Sequence, residues 1–211
     1  MKETDNTPLV EIDRLLKPAT STMIDRYIIA NHWTKGKKVI DAATGKGYGA
    51  GILLSLGAKS VVGIDIDEEG VKDANNIYQS PNIKYKVCDI FNLKDDFKEN
   101  EFEVCTSIET FEHLPPEKID EYLQSLKYVT SETIIITTPR RKVPVWHYNG
   151  GTHLYEYDKN EFTDILYRNF DGSEITAIGI NEVQLPGGQW GTDITADLDN
   201  CWVFFAVVEM K

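Results

Sequence analysis

The stretch ETFEHLPPE, which begins at Glu109, holds side chains that could bind a metal or move a proton. Glu109, Glu112 and His113 stand at positions i, i+3 and i+4, so in a helix they would project from one face. A later loop supplies His153. Carboxylates and neutral imidazoles suit a divalent cation such as Mg²⁺, Mn²⁺ or Fe²⁺ better than a structural zinc site, which favours cysteines. The residues therefore predict a divalent metal site; a substrate-facing base, or helix-start acids beside a surface histidine, are the alternatives.

A glycine-rich turn follows the first strand-like run of the chain, VIDAATGKGYGA over residues 39–50. Its glycines allow the backbone to turn sharply and to approach a ligand closely. Residues 45–50 fit the dinucleotide fingerprint G-x-G-x-x-[GA], and Asp65 follows at roughly the spacing of a ribose-binding acid, so NAD is one candidate ligand. Asp41 favours another, because a carboxylate has no obvious use beside a pyrophosphate and suits the cationic α-amino group of S-adenosylmethionine (SAM).

The segment Asp41-x-Ala43-x-Gly45-x-Gly47 resembles the first motif of class I SAM-dependent methyltransferases, with Ala43 in place of the more usual glycine. The resemblance implies that SAM is the cofactor. It further implies that the turn formed by these four residues lies against the cofactor.

The same resemblance assigns roles at the ends of the next two strands. It implies that Asp65 accepts hydrogen bonds from the ribose hydroxyls and that Ile66 packs on the adenine. Asp89 would face the adenine amino group, with Ile90 beside it. The residues alone also allow Asp65 to cap a helix and Asp89 to be an ordinary turn residue.

The Glu-x-x-Glu-His stretch is followed by Thr-Pro-Arg and by the box His-x-x-Glu-Tyr-x-x-x-Glu-Phe. This series resembles ubiquinone-pathway O-methyltransferases, metal-dependent methyltransferases of the 3′-terminal ribose of small RNAs, and methyltransferases associated with bacterial surface glycans. In the RNA group two Glu and two His bind the metal, which implies Glu109, Glu112, His113 and His153 as ligands. His113 or His153 would be the catalytic base if it is not a ligand.

Strand and helix patterns alternate along the chain, which indicates a parallel sheet covered by helices on both faces. After residue 170 two strand-like runs, 172–183 and 201–210, are joined by a loop rich in Gly, Pro and Asp and should pair antiparallel. We therefore predict an α/β, Rossmann-like, doubly wound, seven-stranded sheet with five parallel strands and an antiparallel C-terminal pair. The predicted organisation is an N-terminal arm over residues 1–17 and a single domain over 18–211.

Composition narrows the class of protein. The chain has 211 residues and a formal net charge of −12, with no long apolar run and a polar N-terminus, so we expect a cytoplasmic protein without a membrane span or signal peptide. Three widely spaced cysteines are expected to be reduced core residues. The acidic balance disfavours nucleic acid as a partner and favours a small-molecule acceptor. The oligomeric state is left open.

These observations predict a SAM-dependent methyltransferase that methylates an oxygen of a small hydroxylated acceptor, such as a sugar, a glycan precursor or a phenol, with help from a divalent metal. The segment Ser107 to Thr110 lacks the Asp/Asn-Pro-Pro-aromatic motif, which disfavours amino methylation of bases. Three alternatives stay open: an RNA 3′-terminal ribose methyltransferase, an NAD-binding oxidoreductase, and a non-catalytic SAM-binding module. A basic run over residues 140–142 is either a solvated loop or an anion site, and residues 146–151 suggest a lid.

Overall fold

A computed structural model describes residues 21–141, 152–184 and 190–211. The predicted N-terminal arm over residues 1–17 and the predicted lid over 146–151 lie outside these ranges.

The described chain forms one sheet of eight strands in the order β3-β2-β1-β4-β5-β8-β6-β7. The strands are β1 (Lys38–Ala42), β2 (Ser60–Asp65), β3 (Ile83–Val87), β4 (Phe102–Ile108), β5 (Thr130–Pro139), β6 (Glu174–Gln184), β7 (Trp190–Thr195) and β8 (Val203–Glu209). Strands β1 to β5 are parallel, and β8 runs antiparallel to both β5 and β6. The predicted α/β class and the antiparallel C-terminal part are confirmed.

The predicted count of seven strands is wrong, because β7 lies in the stretch that we expected to be a loop. This strand pairs antiparallel with β6. It is the last strand of the sheet order, and its Ile194 is 52% exposed. An edge strand needs no continuous apolar run, so the hydrophobic pattern that marks the buried strands is missing here.

Five α-helices of the described ranges flank the sheet. They are α1 (Ser21–Thr34), α2 (Tyr48–Ser55), α3 (Glu68–Ile77), α4 (Ile119–Val129) and α5 (Lys159–Asn169). Two single 3₁₀ turns, Phe111–His113 and Pro116–Lys118, precede α4. The expectation that Glu109, Glu112 and His113 share one α-helical face is therefore wrong, and these side chains are placed by a strand end and a short turn instead.

Alternate residues of the central strands enter two separate cores. Ile40 of β1 packs in a core with side chains from α4 and α5, whereas the preceding Val39 packs in a second core with side chains from α1, α2 and α3. Successive side chains of a strand point to opposite faces, so both faces of the sheet are covered. This burial leaves the ends of the strands as the place where polar side chains can gather.

The three cysteines are buried and form no disulfide, as predicted for reduced core residues. No helix in the described part of the chain has the length and apolar character needed to span a membrane.

Candidate active site

A cavity of roughly 350 Å³ opens at the carboxyl ends of the parallel strands. Its lining residues follow β1, β2, β3 and β4: Ala43, Asp65, Ile66, Cys88, Asp89, Ile90, Phe91, Glu109, Thr110, His113 and Leu114. The strand order reverses between β1 and β4, and ligands of open α/β sheets bind at such a switch point. The size lies in the range of small-molecule and cofactor sites.

The turn after β1 is built from residues in the left-handed region. Gly45 has φ 56° and Gly47 has φ 80°, and Ala43 adopts φ 60° although it is not a glycine. A left-handed alanine costs about 1–2 kcal/mol, so the surrounding hydrogen bonds must hold it. One of these runs from the Thr44 amide to the carbonyl of Ile64 at 2.8 Å. The turn is thereby fixed against β2.

Asp65 joins this turn to the end of β2. Its Oδ2 accepts a hydrogen bond from the Gly45 amide at 2.7 Å, and its Oδ1 accepts one from the Asp67 amide at 3.0 Å. The cap of α3 is Asp67, whose side chain accepts from the Glu69 amide. Asp65 is therefore not the helix cap, and it lines the cavity as a ribose-binding acid would.

Asp41 lies beneath the turn and is fully buried. Its carboxylate accepts hydrogen bonds from Thr44 Oγ1 at 2.6 Å, Thr106 Oγ1 at 2.7 Å and Tyr27 Oη at 3.4 Å. Burial raises the pKa of Asp41 to about 6, although the hydroxyl donors act in the opposite direction. These contacts tie the turn to α1 and β4, and the predicted contact of Asp41 with the amino group of SAM stays a prediction.

The other predicted cofactor residues lie on the cavity wall. Ile66 is 72% exposed, which leaves its side chain available to pack on a flat ring. Asp89 and Ile90 line the cavity as well, and Asp89 Oδ1 accepts from the Phe91 amide at 3.0 Å. Asp89 is thus a turn residue that also faces the cavity.

Three of the four predicted metal ligands converge at the edge of this cavity. Ligand atoms of Glu112, His113 and His153 lie within 4.8 Å of one another. Glu112 Oε1 is 3.8 Å from His113 Nε2 and 4.0 Å from His153 Nε2. The Nδ1 atoms of the two histidines have other partners. His113 Nδ1 lies 3.0 Å from the Thr152 carbonyl oxygen, and His153 Nδ1 lies 2.8 Å from Glu156 Oε1. Such contacts on the second ring nitrogen are how proteins orient metal-binding histidines.

Glu112 carries a buried oxygen that is ready for a ligand. The side chain is 1% exposed, and its Oε2 accepts a hydrogen bond from Thr138 Oγ1 at 3.0 Å. Its Oε1 has no hydrogen-bond partner within the described ranges. Burial, followed by the charge of Glu109, raises the pKa of Glu112 to about 8. A proton or a cation would satisfy this oxygen, and a divalent cation fits the donor set.

Glu109, the fourth predicted ligand, does not join this cluster. Its Oε2 lies 3.4 Å from Arg26 Nη1, and its Oε1 accepts a hydrogen bond from Thr137 Oγ1 at 2.8 Å. Within the described ranges, the side chains whose ligand atoms lie together are thus Glu112, His113 and His153.

The segment that carries His153 is docked onto the turn that carries Glu112. The Glu112 carbonyl accepts hydrogen bonds from the amides of Leu154 at 2.7 Å and Tyr155 at 3.2 Å. Arg141 secures the far end of the segment by an ion pair of 2.6 Å with Asp158. This arginine is committed within the protein, so the structure favours a structural role for it over an anion site.

Sequence reasoning assigned no role to Thr137 and Thr138, which donate hydrogen bonds to Glu109 and Glu112, respectively. These two threonines lie at the end of an apolar strand. A polar pair at the carboxyl end of a buried strand is a usable signal, because that end opens into the crevice.

Comparisons with known proteins agree with this geometry. Residues 39–132 match a family model described as a methyltransferase domain. No curated protein sequence matches the chain.

Three solved structures share the fold. The first, a Haloferax volcanii complex of the Trm112 methyltransferase activator with a putative methyltransferase, matches at TM-score 0.72 and 15% identity over 94% of this chain and 92% of that one. Magnesium protoporphyrin IX methyltransferase of Synechocystis PCC 6803, solved with S-adenosylhomocysteine (SAH), matches at TM-score 0.64 and 17% identity over 100% of this chain and 90% of that one. The methyltransferase domain of bacterial CtHen1-C matches at TM-score 0.67 and 17% identity over 89% of this chain and 96% of that one. These likenesses show the fold, and the family model over residues 39–132 supports a SAM-dependent methyltransferase.

Proposed function

We propose that this methyltransferase transfers the methyl group of SAM to an oxygen of a small hydroxylated acceptor, assisted by a divalent cation on Glu112, His113 and His153. One observation carries the proposal: these three ligand atoms converge beside the cavity, and His113 belongs both to the cluster and to the cavity wall.

The cavity wall offers a complete set of groups for the nucleoside part of SAM. Asp65 would accept hydrogen bonds from ribose hydroxyls with lone pairs that its two backbone contacts leave available. Ile66 and Ile90 would enclose the adenine, and Asp89 would accept a hydrogen bond from its amino group. SAM supplies a methyl group on a sulfonium centre, so the protein mainly has to orient the acceptor and take its proton.

The cluster fits a divalent cation of the Mg²⁺, Mn²⁺ or Fe²⁺ type. Such ions take donors of this kind: two imidazoles with fixed Nδ1 contacts and one buried carboxylate oxygen that has no hydrogen-bond partner in the described part of the chain. A cation held there lowers the pKa of a bound hydroxyl. If one histidine is not a ligand, it is placed to remove the acceptor's proton.

The charge of the chain supports a small acceptor over a polyanion. Its net charge is −12, and the two arginines after β5 pair with groups of the protein itself. Binding a nucleic acid depends on basic groups that meet phosphates. A hydroxylated sugar or phenol needs no such surface.

Methyl transfer from labelled SAM tests the proposal. Chelator-treated protein would be offered monosaccharides, phenols and a short RNA, before and after Mn²⁺ is returned, with products located by mass spectrometry. We expect methyl groups on oxygen of a small acceptor, only with metal. His153→Ala should abolish transfer, whereas His32→Ala, an exposed histidine of α1, should not.

Full activity of the chelated protein would remove the metal from the proposal. A methyl group on nitrogen would contradict oxygen transfer. Methylation of only the RNA 3′-terminal ribose would replace the small acceptor with the nucleic-acid alternative.

A further inference from the structure

We propose that Arg26 holds Glu109 away from the cation, so that the cation has three protein ligands and keeps coordination positions for the acceptor. This inference rests on the proposed function. It gives Glu109 and Arg26 the role of positioning residues and not of metal ligands.

Both carboxylate oxygens of Glu109 already have partners. Arg26 Nη1 lies 3.4 Å from Oε2, and Thr137 Oγ1 donates to Oε1 at 2.8 Å. The side chains of Arg26 and Glu109 are only 6% and 16% exposed, so water competes weakly for the pair. Glu109 is also the only ion-pair partner of Arg26 within the described ranges.

The backbone fixes the direction of Glu109 as well. Its φ is 55°, in the left-handed region that glutamate seldom adopts. The amide donates to the Thr137 carbonyl at 3.2 Å and to Thr137 Oγ1 at 3.0 Å. Glu109 is therefore aligned by the end of β5, whereas Glu112 belongs to the 3₁₀ turn Phe111–His113 that follows β4.

Glu112 shows the opposite arrangement. Its Oε1 has no hydrogen-bond partner among the residues that the structure describes, and it lies within 4.0 Å of the Nε2 atoms of both His113 and His153. One glutamate is thus satisfied by the protein, and the other presents an unsatisfied oxygen to the imidazoles.

The difference between Glu109 and Glu112 sets the number of protein ligands to the cation. Two histidines and one carboxylate leave positions of a divalent cation free for substrate oxygens. A second carboxylate would fill one of these positions and would tighten cation binding by adding negative charge. Arg26 therefore keeps the site open at the cost of affinity for the cation.

Calorimetric titration of Mn²⁺ into the chelator-treated full chain tests this inference. Glu112→Gln should weaken Mn²⁺ binding by at least about tenfold, whereas Glu109→Gln should leave it nearly unchanged. Arg26→Met releases Glu109 and should tighten binding by about tenfold. The double variant Arg26→Met with Glu109→Gln should return to the wild-type affinity.

The outcomes separate this inference from the proposed function. Loss of binding in Glu109→Gln equal to that in Glu112→Gln would make Glu109 a ligand and overturn the inference alone. Absence of Mn²⁺ binding in the wild type would overturn both. If Arg26→Met does not fold, the comparison of Glu109→Gln with Glu112→Gln still decides whether Glu109 is a metal ligand. The SAM affinity of each glutamate variant checks that the variant is folded.

Discussion

Asp65 holds the glycine turn through the Gly45 amide, and we propose that it also binds the ribose of the cofactor. Asp65→Ala would leave a ribose hydroxyl without a partner, so we expect a loss of about 1–3 kcal/mol in cofactor affinity. SAM and SAH should be affected alike, because the contact is to ribose and not to the sulfonium. Calorimetry with both ligands measures this.

Asp67 provides the matched control. It caps α3 and does not line the cavity, so Asp67→Ala should cost about 0.5–2 kcal/mol of stability and leave SAM affinity unchanged. Equal losses of affinity in Asp65→Ala and Asp67→Ala would argue against the ribose contact.

Gly47 is required by the fold itself and not only by a ligand. A Cβ at this position would lie 2.6 Å from both Ala74 Cβ and a ring carbon of Tyr85, on a backbone with φ 80°. Gly47→Val should therefore lower the free energy of unfolding by more than about 2 kcal/mol. Gly36 has φ 77° with open space around it, so Gly36→Val isolates the backbone strain from the clash. Similar urea midpoints for the two variants would contradict the packing explanation.

At the scale of elements, the segment 152–158 connects the metal cluster to the start of α5. Arg141 holds this segment through Asp158, which closes a capping box with Glu161. Arg141→Ala should loosen His153 and weaken Mn²⁺ binding by about tenfold, as is typical of groups that support metal ligands. Titration with Mn²⁺ measures the effect.

Arg168 is the control for this prediction, because it forms an equally short ion pair with Asp120 at 58% exposure. Arg168→Ala should leave Mn²⁺ affinity unchanged, since exposed pairs contribute little. Identical behaviour of the two arginine variants would show that Arg141 does not position the site.

The elements differ in how far the sequence predicts them. Strands β1, β2, β4 and β5 are mostly apolar runs between turn signals, whereas β3 alternates apolar residues with lysines, and both patterns are typical of strands. Helix α5 was not predicted, although Asp158 and Glu161 carry the capping-box spacing before it. Glu109 was misplaced because its spacing to Glu112 assumes a helix, whereas a left-handed residue and a 3₁₀ turn occupy that stretch. Spacing alone does not distinguish these geometries.

At the scale of the whole molecule, buried Asp41 makes stability depend on pH. The pKa of Asp41 in the folded protein, about 6, exceeds the ordinary value of 3.8. Its contribution to the stability of the fold is therefore present below about pH 4 and is lost as pH rises through 6. Asp41→Asn cannot ionise. Between pH 4 and 7 the free energy of unfolding of the wild type should therefore fall relative to that of the variant. Urea unfolding at several pH values measures it, and a constant difference would contradict the burial of an ionisable group.

The switch point of the sheet brings the cavity and the cluster of Glu112, His113 and His153 to one edge, and we propose that SAM and a divalent cation meet there. Mn²⁺ broadening of the methyl resonance of bound, ¹³C-methyl-labelled SAM tests it most directly. We predict strong broadening in the wild type and its loss in His153→Ala with SAM still bound. A methyl resonance that Mn²⁺ leaves unchanged, in protein that binds both ligands, would show that the cation and the methyl group do not share a site.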